Sequence, residues 1–199
     1  MDLLTSFFLM HGGNHTGDVA GVERTLSDRV FGALGDDQMR ARPAKGVNSL
    51  VWLLWHMART EDVAVNLVMT AGTQVLDDTW ARRMNIDDRH IGSGMSSDEV
   101  DHLTARANID EVRAYRSAVG RRTRDVVRAF PAASWDEVIG HEDIDRAKRV
   151  GALHVGDVPY PWVGSSRWQR LMSSAGGHNI LHHGEAITIR GLGGFGVDM

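Results

Sequence analysis

The chain contains no cysteine and only 4 prolines in 199 residues. Without cysteine it has no disulfide, no thiolate metal ligand and no cysteine nucleophile, which fits a reducing compartment. An excess of positive charge is also missing, because 22 Lys and Arg stand against 26 Asp and Glu and the net charge is -4. Such a chain has no global positive field to attract phosphate backbones, so we expect no nucleic-acid partner.

Long hydrophobic runs are absent as well. No segment approaches the ~20 consecutive apolar residues that span a bilayer. Residues 3–10 are apolar, but no Lys or Arg precedes them and no small-residue cleavage site follows. Because they lack the pattern of a secretory signal, we expect a cytoplasmic protein with no membrane partner.

The composition is that of an ordinary globular protein, with 42% hydrophobic and 24% charged residues. We expect residues 1–199 to form a single domain, with a helical core over about 17–191 and a flexible tail over 192–199. A compact chain of this length buries roughly 70% of the surface that its unfolded form exposes. It needs no metal to stay folded, so any metal site should be functional.

The spacing of apolar residues predicts four long helices. Apolar positions recur every three to four residues over about 19–34, 49–70, 109–130 and 167–190. Ser49 is a suitable N-cap for the second helix, and Ser166 with Gln169 forms a capping-box pattern before the fourth. No segment alternates like a β-strand. The sequence therefore predicts an all-α four-helix bundle, with long crossovers at 71–107 and 131–165 that we expect to lie over a site.

Three of the 10 histidines occupy positions that suggest a common site. His178 and His182 are four residues apart in the fourth helix, so both rings lie on one face at a separation that suits two ligands of one metal ion. His56 lies in the second helix in an apolar stretch that includes Trp52, Trp55 and Met57, where a polar ring needs a partner. Two histidines on a facing helix are poor hydrogen-bond partners for it, whereas a metal ion would satisfy all three rings.

Three neutral imidazoles would leave one to three coordination positions open, which is typical of a catalytic metal site. Zinc is the first expectation, and nickel, iron, cobalt and manganese are alternatives because histidine suits several metals. The spacing also allows a simpler interpretation. In that case His56 is a hydrogen-bonded core residue, and His178 and His182 belong to a solvated helix face.

Two stretches carry a resemblance to a known family. Residues 48–62, NSLVWLLWHMARTED, together with residues 178–185, HNILHHGE, resemble the DinB-like (DinB/YfiT) superfamily of metal-binding four-helix bundles. The resemblance implies that His56, His178 and His182 are the metal ligands. The glycine that follows the last ligand by two in that family is matched here as well.

The resemblance also implies a class of activity. Characterised relatives include transferases and isomerases that use a low-molecular-weight thiol such as mycothiol or bacillithiol. It therefore implies a metal-dependent enzyme that activates such a thiol for transfer to, or isomerisation of, a small electrophile. Alternatives are a hydrolase that uses bound water, and a metal-binding stress protein without turnover. His183 and Glu185 depart from the family, which often has arginine and glutamine there, and these departures concern substrate recognition.

Glu185 is the candidate catalytic residue. It follows His182 by three residues and shares its helix face, so its carboxylate could orient a ligand imidazole or transfer a proton. A solvent-facing acid is the alternative. Glu61 lies five residues after His56 and off its face, so we interpret it as solvated or as part of an inter-helix ion pair. Arg59 is interpreted as structural.

Four further histidines are weaker candidates. His11 and His15 flank two glycines that disfavour a helix, so we expect a mobile N-terminus there, with metal binding as the alternative. His141 and His154 lie in the second crossover, from which either could approach the metal.

The sequence gives three other expectations. His90 and His102 have polar neighbours and are expected at the surface. Gly176 and Gly177 are costly inside a helix and predict the close approach of a neighbouring helix or a ligand. Residues 7–10 and the second helix carry much apolar surface, which is compatible with a homodimer.

Overall fold

The regular secondary structure of the described residues is helical. The computed structural model describes residues 2–154 and 162–197. Within these ranges the α-helices are α1 (Leu3–Gly13), α2 (Gly17–Ala20), α3 (Asp36–Arg40), α4 (Leu50–Asp62), α5 (Asp78–Met84), α6 (Ser97–Arg106), α7 (Ile109–Ala129), α8 (His141–Arg149), α9 (Arg167–Leu171) and α10 (His178–Gly193). Three π-helical segments occupy Asp28–Gly32, Val63–Met69 and Met172–Gly177, and a 3-10 turn occupies Ala132–Ser134. No β-strand occurs in the described ranges, so the predicted all-α class is confirmed.

Four long elements form the bundle. They are α1, α4 with its π-helical continuation to Met69, α7, and the continuous run from α9 through Met172–Gly177 into α10. The helix α4 packs against both α7 and α10, and α1 packs against Met172–Gly177. Every residue from Leu50 to Met69 is buried, so α4 and its continuation form the centre of the molecule.

Three of the helices begin where the sequence indicated. The Ser49 hydroxyl and the Asn108 side chain each accept a hydrogen bond from the backbone N–H three residues later, at the starts of α4 and α7. Ser166 and Gln169 form the expected capping box before α9. Each cap satisfies backbone donors that the first turn of a helix leaves unpaired.

The prediction of one long helix over residues 19–34 is wrong. The chain there forms the single turn of α2, then a left-handed Gly21 with a φ of 79°, and later a short helical stretch over residues 26–32 that is π-helical from Asp28. The Asp28 carboxylate accepts hydrogen bonds at 2.9 Å from the backbone N–H groups of both Gly17 and Thr25. Side chains that bond the backbone locally in this way compete with helix formation.

The first helix of the bundle is α1 instead. Phe7 is completely buried, so the interior begins ahead of residue 17, where the sequence placed the start of the core. Leu3 and Leu9 face outward. In the described part of the chain, none of the helices combines the length and apolar composition that crossing a bilayer requires.

A close helix contact explains Gly176. A Cβ atom at this position would lie 2.5 Å from Cε of Met10, so the end of this flexible side chain of α1 packs on the backbone directly before His178. Gly177 meets only the Met172 carbonyl oxygen, at 4.0 Å, and has no comparable contact. The close approach expected from the sequence therefore applies to one of the two glycines.

Both crossovers contain short helices. The first crossover holds α5 and α6, and the second holds α8, which packs on Val63–Met69. Gly156, Pro159 and Pro161 of the second crossover lie outside the described residues. Of the two crossovers, the first contributes Ile91 to the site described next.

Candidate metal centre

Three imidazoles from two helices meet at the edge of the core. His56 lies in α4, and His178 and His182 lie one turn apart at the start of α10. Nε2 of His178 is 3.1 Å from Nε2 of His56 and 3.1 Å from Nε2 of His182. The three ligand atoms all lie within 4.8 Å of one another. His56 is buried and the other two are partly exposed, so solvent can reach the group.

The ring of His56 is held on two sides. Its Nδ1 hydrogen-bonds the carbonyl oxygen of Ile91, which belongs to the first crossover. Trp52 stacks on the ring with 4.7 Å between centroids and an angle of 11° between planes. These contacts fix the direction in which Nε2 points.

The ring of His182 is held by Glu185. Nδ1 of His182 is 2.8 Å from Oε2 of Glu185, and Nδ2 of Asn48 donates to the other carboxylate oxygen at 2.9 Å. The hydrogen bond from His182 lowers the pKa of Glu185 and outweighs the opposite effect of burial, and the Asn48 hydrogen bond lowers it further. Glu185 is therefore a carboxylate at neutral pH, which accepts hydrogen bonds and donates none.

These partners leave nitrogen lone pairs facing one another. Because the Ile91 oxygen and the Glu185 carboxylate only accept, Nδ1 of His56 and of His182 carries the hydrogen, and each Nε2 presents a lone pair. His178 can donate from Nε2 to only one of them. Burial, reinforced by the neighbouring histidines, lowers the pKa of His178 to about 2 and that of His56 to about 4. These two rings are therefore neutral at neutral pH, and a cation between the three Nε2 atoms would satisfy their lone pairs.

The donor set fits a divalent transition metal. Two imidazole nitrogens that lie about 2.0–2.1 Å from a zinc ion and subtend 90–110° are about 2.9–3.4 Å apart. The observed separations of 3.1 Å fall within this range. Ligating histidines usually donate their second ring nitrogen to an acceptor, as His56 and His182 do here, whereas Nδ1 of His178 has no partner among the described residues. His56, His178 and His182 could therefore hold a metal ion.

Other histidines lie outside this group. Nδ1 of His183 hydrogen-bonds the carbonyl oxygen of Asn179, at 2.6 Å. His141 is exposed at the start of α8, and the ring of His154 lies 4.0 Å from that of His90. His90 itself is buried, so its expected surface position is wrong, because its ring packs against Trp55 of α4 and His154 of the second crossover.

A second buried cluster surrounds Glu61. Its Oε1 is 3.0 Å from Nε2 of His11, and its Oε2 is 3.0 Å from Nε2 of His15. Oε2 also accepts from Nη1 of Arg116 at 3.3 Å and from Nδ2 of Asn179 at 3.0 Å. His11, His15 and Glu61 are completely buried. The expected mobile N-terminus and the solvated Glu61 are therefore wrong, whereas the inter-helix ion pair of Glu61 is confirmed.

Gly12 lies in α1, although the glycines here were expected to disfavour a helix. A Cβ atom at Gly12 would be 3.3 Å from Cβ of Ala20. The absence of a side chain lets α1 and α2 pack closely. That tertiary contact outweighs the low helix propensity of glycine.

The sequence contained one signal for these buried networks, namely charged residues within an apolar helix. Arg59, Glu61 and Asp62 interrupt the apolar sequence of α4, and buried charges need partners. Arg59 donates to Asp62 at 3.1 Å, and the Tyr115 hydroxyl donates to the same carboxylate oxygen at 2.6 Å. The structural interpretation of Arg59 is thus confirmed. Arg59 also donates to the Tyr115 hydroxyl oxygen on α7 at 3.0 Å, a partner that spacing along the chain could not identify.

Acidification is expected to destabilise the metal-free protein. Burial and the nearby Arg116 charge lower the pKa of His15 from 6.5 to about 3. The unfolded chain binds more protons than the folded chain between these values, so stability falls as pH drops below 6.5, by about 2 kcal/mol at pH 5 from His15 alone. Urea denaturation of His15→Gln at pH 7.5 and pH 5.0 should show a correspondingly smaller loss. The exposed His102→Gln is the control, and an unchanged loss in His15→Gln would contradict the prediction.

Comparison with known proteins identifies the family. A family model of the DinB superfamily matches residues 22–161, a range that includes His56 and ends before His178 and His182. A crystal structure of a conserved protein from Enterococcus faecalis is similar in fold, with a TM-score of 0.66 and 16% identity, and the alignment covers 96% of this chain and 97% of that one. No curated protein matches the chain. The chain belongs to the DinB superfamily.

Proposed function

We propose that the protein is an enzyme in which a divalent metal ion, held by His56, His178 and His182, activates a low-molecular-weight thiol for transfer to, or isomerisation of, a small electrophile. The observation that carries the proposal is the convergence of three Nε2 atoms, two of them with lone pairs fixed by partners on Nδ1. A bound divalent ion would lower the pKa of a thiol or a water molecule at its open positions.

The residues of the chain prepare this site in separate ways. Ile91 and Trp52 fix the ring of His56, and Glu185 fixes the ring of His182. Neutral imidazoles leave the full charge of the metal available to an incoming anion. Zinc is the first choice for three histidine ligands, with nickel, iron, cobalt and manganese as alternatives. The protein has no cysteine, so the thiol must come from a second molecule.

Turnover with a thiol tests the proposal directly. Tag-free, metal-loaded protein is incubated with a panel of small thiols, including mycothiol and bacillithiol, and with small electrophiles. We expect thiol-dependent turnover that His178→Ala abolishes and that the exposed His102→Ala retains. Turnover without any thiol would favour a hydrolase. Metal binding without any turnover would favour a metal-binding stress protein.

Glu185 is proposed to act on the metal through His182. Loss of a carboxylate that holds a ligand histidine typically lowers metal affinity by about 10–100-fold, and we expect this of Glu185→Gln. A metal competition titration measures the effect. If Glu185 instead transfers a proton, the variant would keep its metal affinity and lose one limb of the pH profile of turnover.

A homodimer remains a proposal. Phe7 and the whole of α4 are buried within one chain, which removes most of the apolar surface that suggested it. Leu9 and Leu181 stay exposed, at 65% and 74%. Sedimentation analysis of the purified protein would decide the oligomeric state.

A further inference from the structure

The Glu61 carboxylate connects all four long elements of the bundle. Glu61 lies on α4, His11 on α1, Arg116 on α7 and Asn179 on α10, and His15 lies just after α1. Each of the other four places a nitrogen within 3.3 Å of a Glu61 oxygen. Oε2 receives three of these four contacts and Oε1 receives one, so donors from the other three long elements share one carboxylate.

The hydrogen positions favour a charge network here rather than a second metal site. His11, His15 and Glu61 are close enough to hold a metal ion. Neither Nδ1 of the two histidines has a partner among the described residues. If each Nε2 donates to Glu61, both contacts are hydrogen bonds to a carboxylate, whereas metal ligation through Nε2 would remove these two hydrogen bonds and turn each Nδ1 into a buried N–H without a partner. The Arg116 guanidinium, 3.3 Å from a Glu61 oxygen, would also repel a cation.

The network lies directly beside the candidate metal centre. Glu61 follows His56 by five residues on α4, and Asn179 comes directly after His178 on α10. The 3.0 Å hydrogen bond from Asn179 Nδ2 to Glu61 Oε2 therefore joins the two ligand-bearing segments. The second hydrogen of the Asn179 amide goes to the Ala175 carbonyl oxygen, at 3.2 Å.

The segment before His178 has a particular need for such a contact. Met172–Gly177 is π-helical and ends in two glycines, so the regular α-helical ladder does not set the rotation of α10. The side chain of Asn14 donates to the Gly176 carbonyl oxygen at 3.3 Å, and Arg116 donates to the backbone oxygen of Asn14 at 2.9 Å. Residues of the same network therefore hold this segment as well.

We infer that Glu61 is a positioning residue for the metal centre. By holding Asn179, it fixes the rotation of α10 relative to α4, and thereby the approach of His178 and His182 to His56. The inference rests on the proposed metal centre. It adds that a buried carboxylate remote from the metal controls how tightly and in what geometry the metal is bound.

A matched pair of buried carboxylates allows a controlled test. Asp62 follows Glu61 in α4 and is equally buried, but its hydrogen-bond partners in the described structure include none on α10. Glu61→Gln, Asn179→Ala and Asp62→Asn are purified without metal and titrated with Co²⁺ against a competing chelator. Circular dichroism selects a temperature at which every variant is folded. The visible absorption of the Co²⁺ complex reports the ligand geometry.

The expected result separates positioning from general stability. Glu61→Gln and Asn179→Ala should bind Co²⁺ about 10–100-fold more weakly, with a changed spectrum, as for other residues that support metal ligands. Asp62→Asn should stay within about twofold of the unaltered protein although it is destabilised, because its network does not couple to α10. Equal affinities in Glu61→Gln and Asp62→Asn would overturn the inference. A second Co²⁺ per chain that His11→Ala removes would also overturn it, whereas no Co²⁺ binding by the unaltered protein would overturn the proposed function itself.

Discussion

Replacing His56 with alanine is expected to abolish stoichiometric metal binding. Tag-free protein should contain about one transition metal ion per chain, and the variant almost none, because two histidines from a single helix turn remain. The metal affinity should fall by more than about 100-fold, which is the upper end of the effect of losing a residue that only hydrogen-bonds a ligand. Elemental analysis and a competition titration measure these two quantities.

The control for this prediction is an exposed histidine. His102→Ala removes an imidazole outside the cluster and should keep the full metal content. His56→Gln gives a second test with a smaller change in volume within the packed helix. If both His56 variants keep one metal per chain while folded, His56 is an ordinary core residue and the three-histidine centre is wrong.

Replacing Arg116 with methionine is expected to cost about 3–5 kcal/mol of unfolding free energy, because it leaves the Glu61 carboxylate buried without its cation. Arg116 is 1% exposed, and its guanidinium also donates to the Asn14 carbonyl oxygen. The expected loss is a large part of the free energy of unfolding of an ordinary domain, which is about 5–15 kcal/mol. Urea denaturation of the metal-free protein at neutral pH measures it.

The same helix offers a matched control. Arg121 forms a 2.7 Å ion pair with Asp18, and the two side chains are 54% and 59% exposed. Arg121→Met should therefore cost less than about 1 kcal/mol. Adding Glu61→Gln to Arg116→Met should recover part of the stability by removing the unpaired charge. Equal losses in Arg116→Met and Arg121→Met would contradict the importance of the buried pair.

The candidate metal residues could be chosen from the sequence because their signals are local. A four-residue spacing places His178 and His182 on one helix face, and an apolar helix makes the polar His56 conspicuous. The resemblance to the family supplied the pairing of these helices. The role of Ile91 could not be predicted, because a backbone carbonyl oxygen from a crossover has no sequence signature.

The N-terminal region shows where local signals fail. Glycine propensity predicted mobility around His11 and His15, yet both rings are buried against Glu61. The apolar spacing at residues 19–34 predicted one continuous helix, but the chain is interrupted after α2, where Asp28 accepts hydrogen bonds from the backbone of Gly17 and Thr25. Around His11 and His15 the tertiary contacts outweigh a propensity of at most about 1 kcal/mol per residue, and at residues 19–34 side-chain hydrogen bonds to the backbone do so.

Hydrophobic periodicity and capping residues determined by themselves that this chain is helical, and they located α4, α7 and the run from α9 to α10. Such signals act over one or two helical turns, so a single sequence records them directly. Only the tertiary structure decided that α1 completes the bundle and that Glu61 meets donors from the other three long elements. The contacts of Glu61 join residues up to 118 positions apart, and spacing along the chain carries no information about which charge will face which.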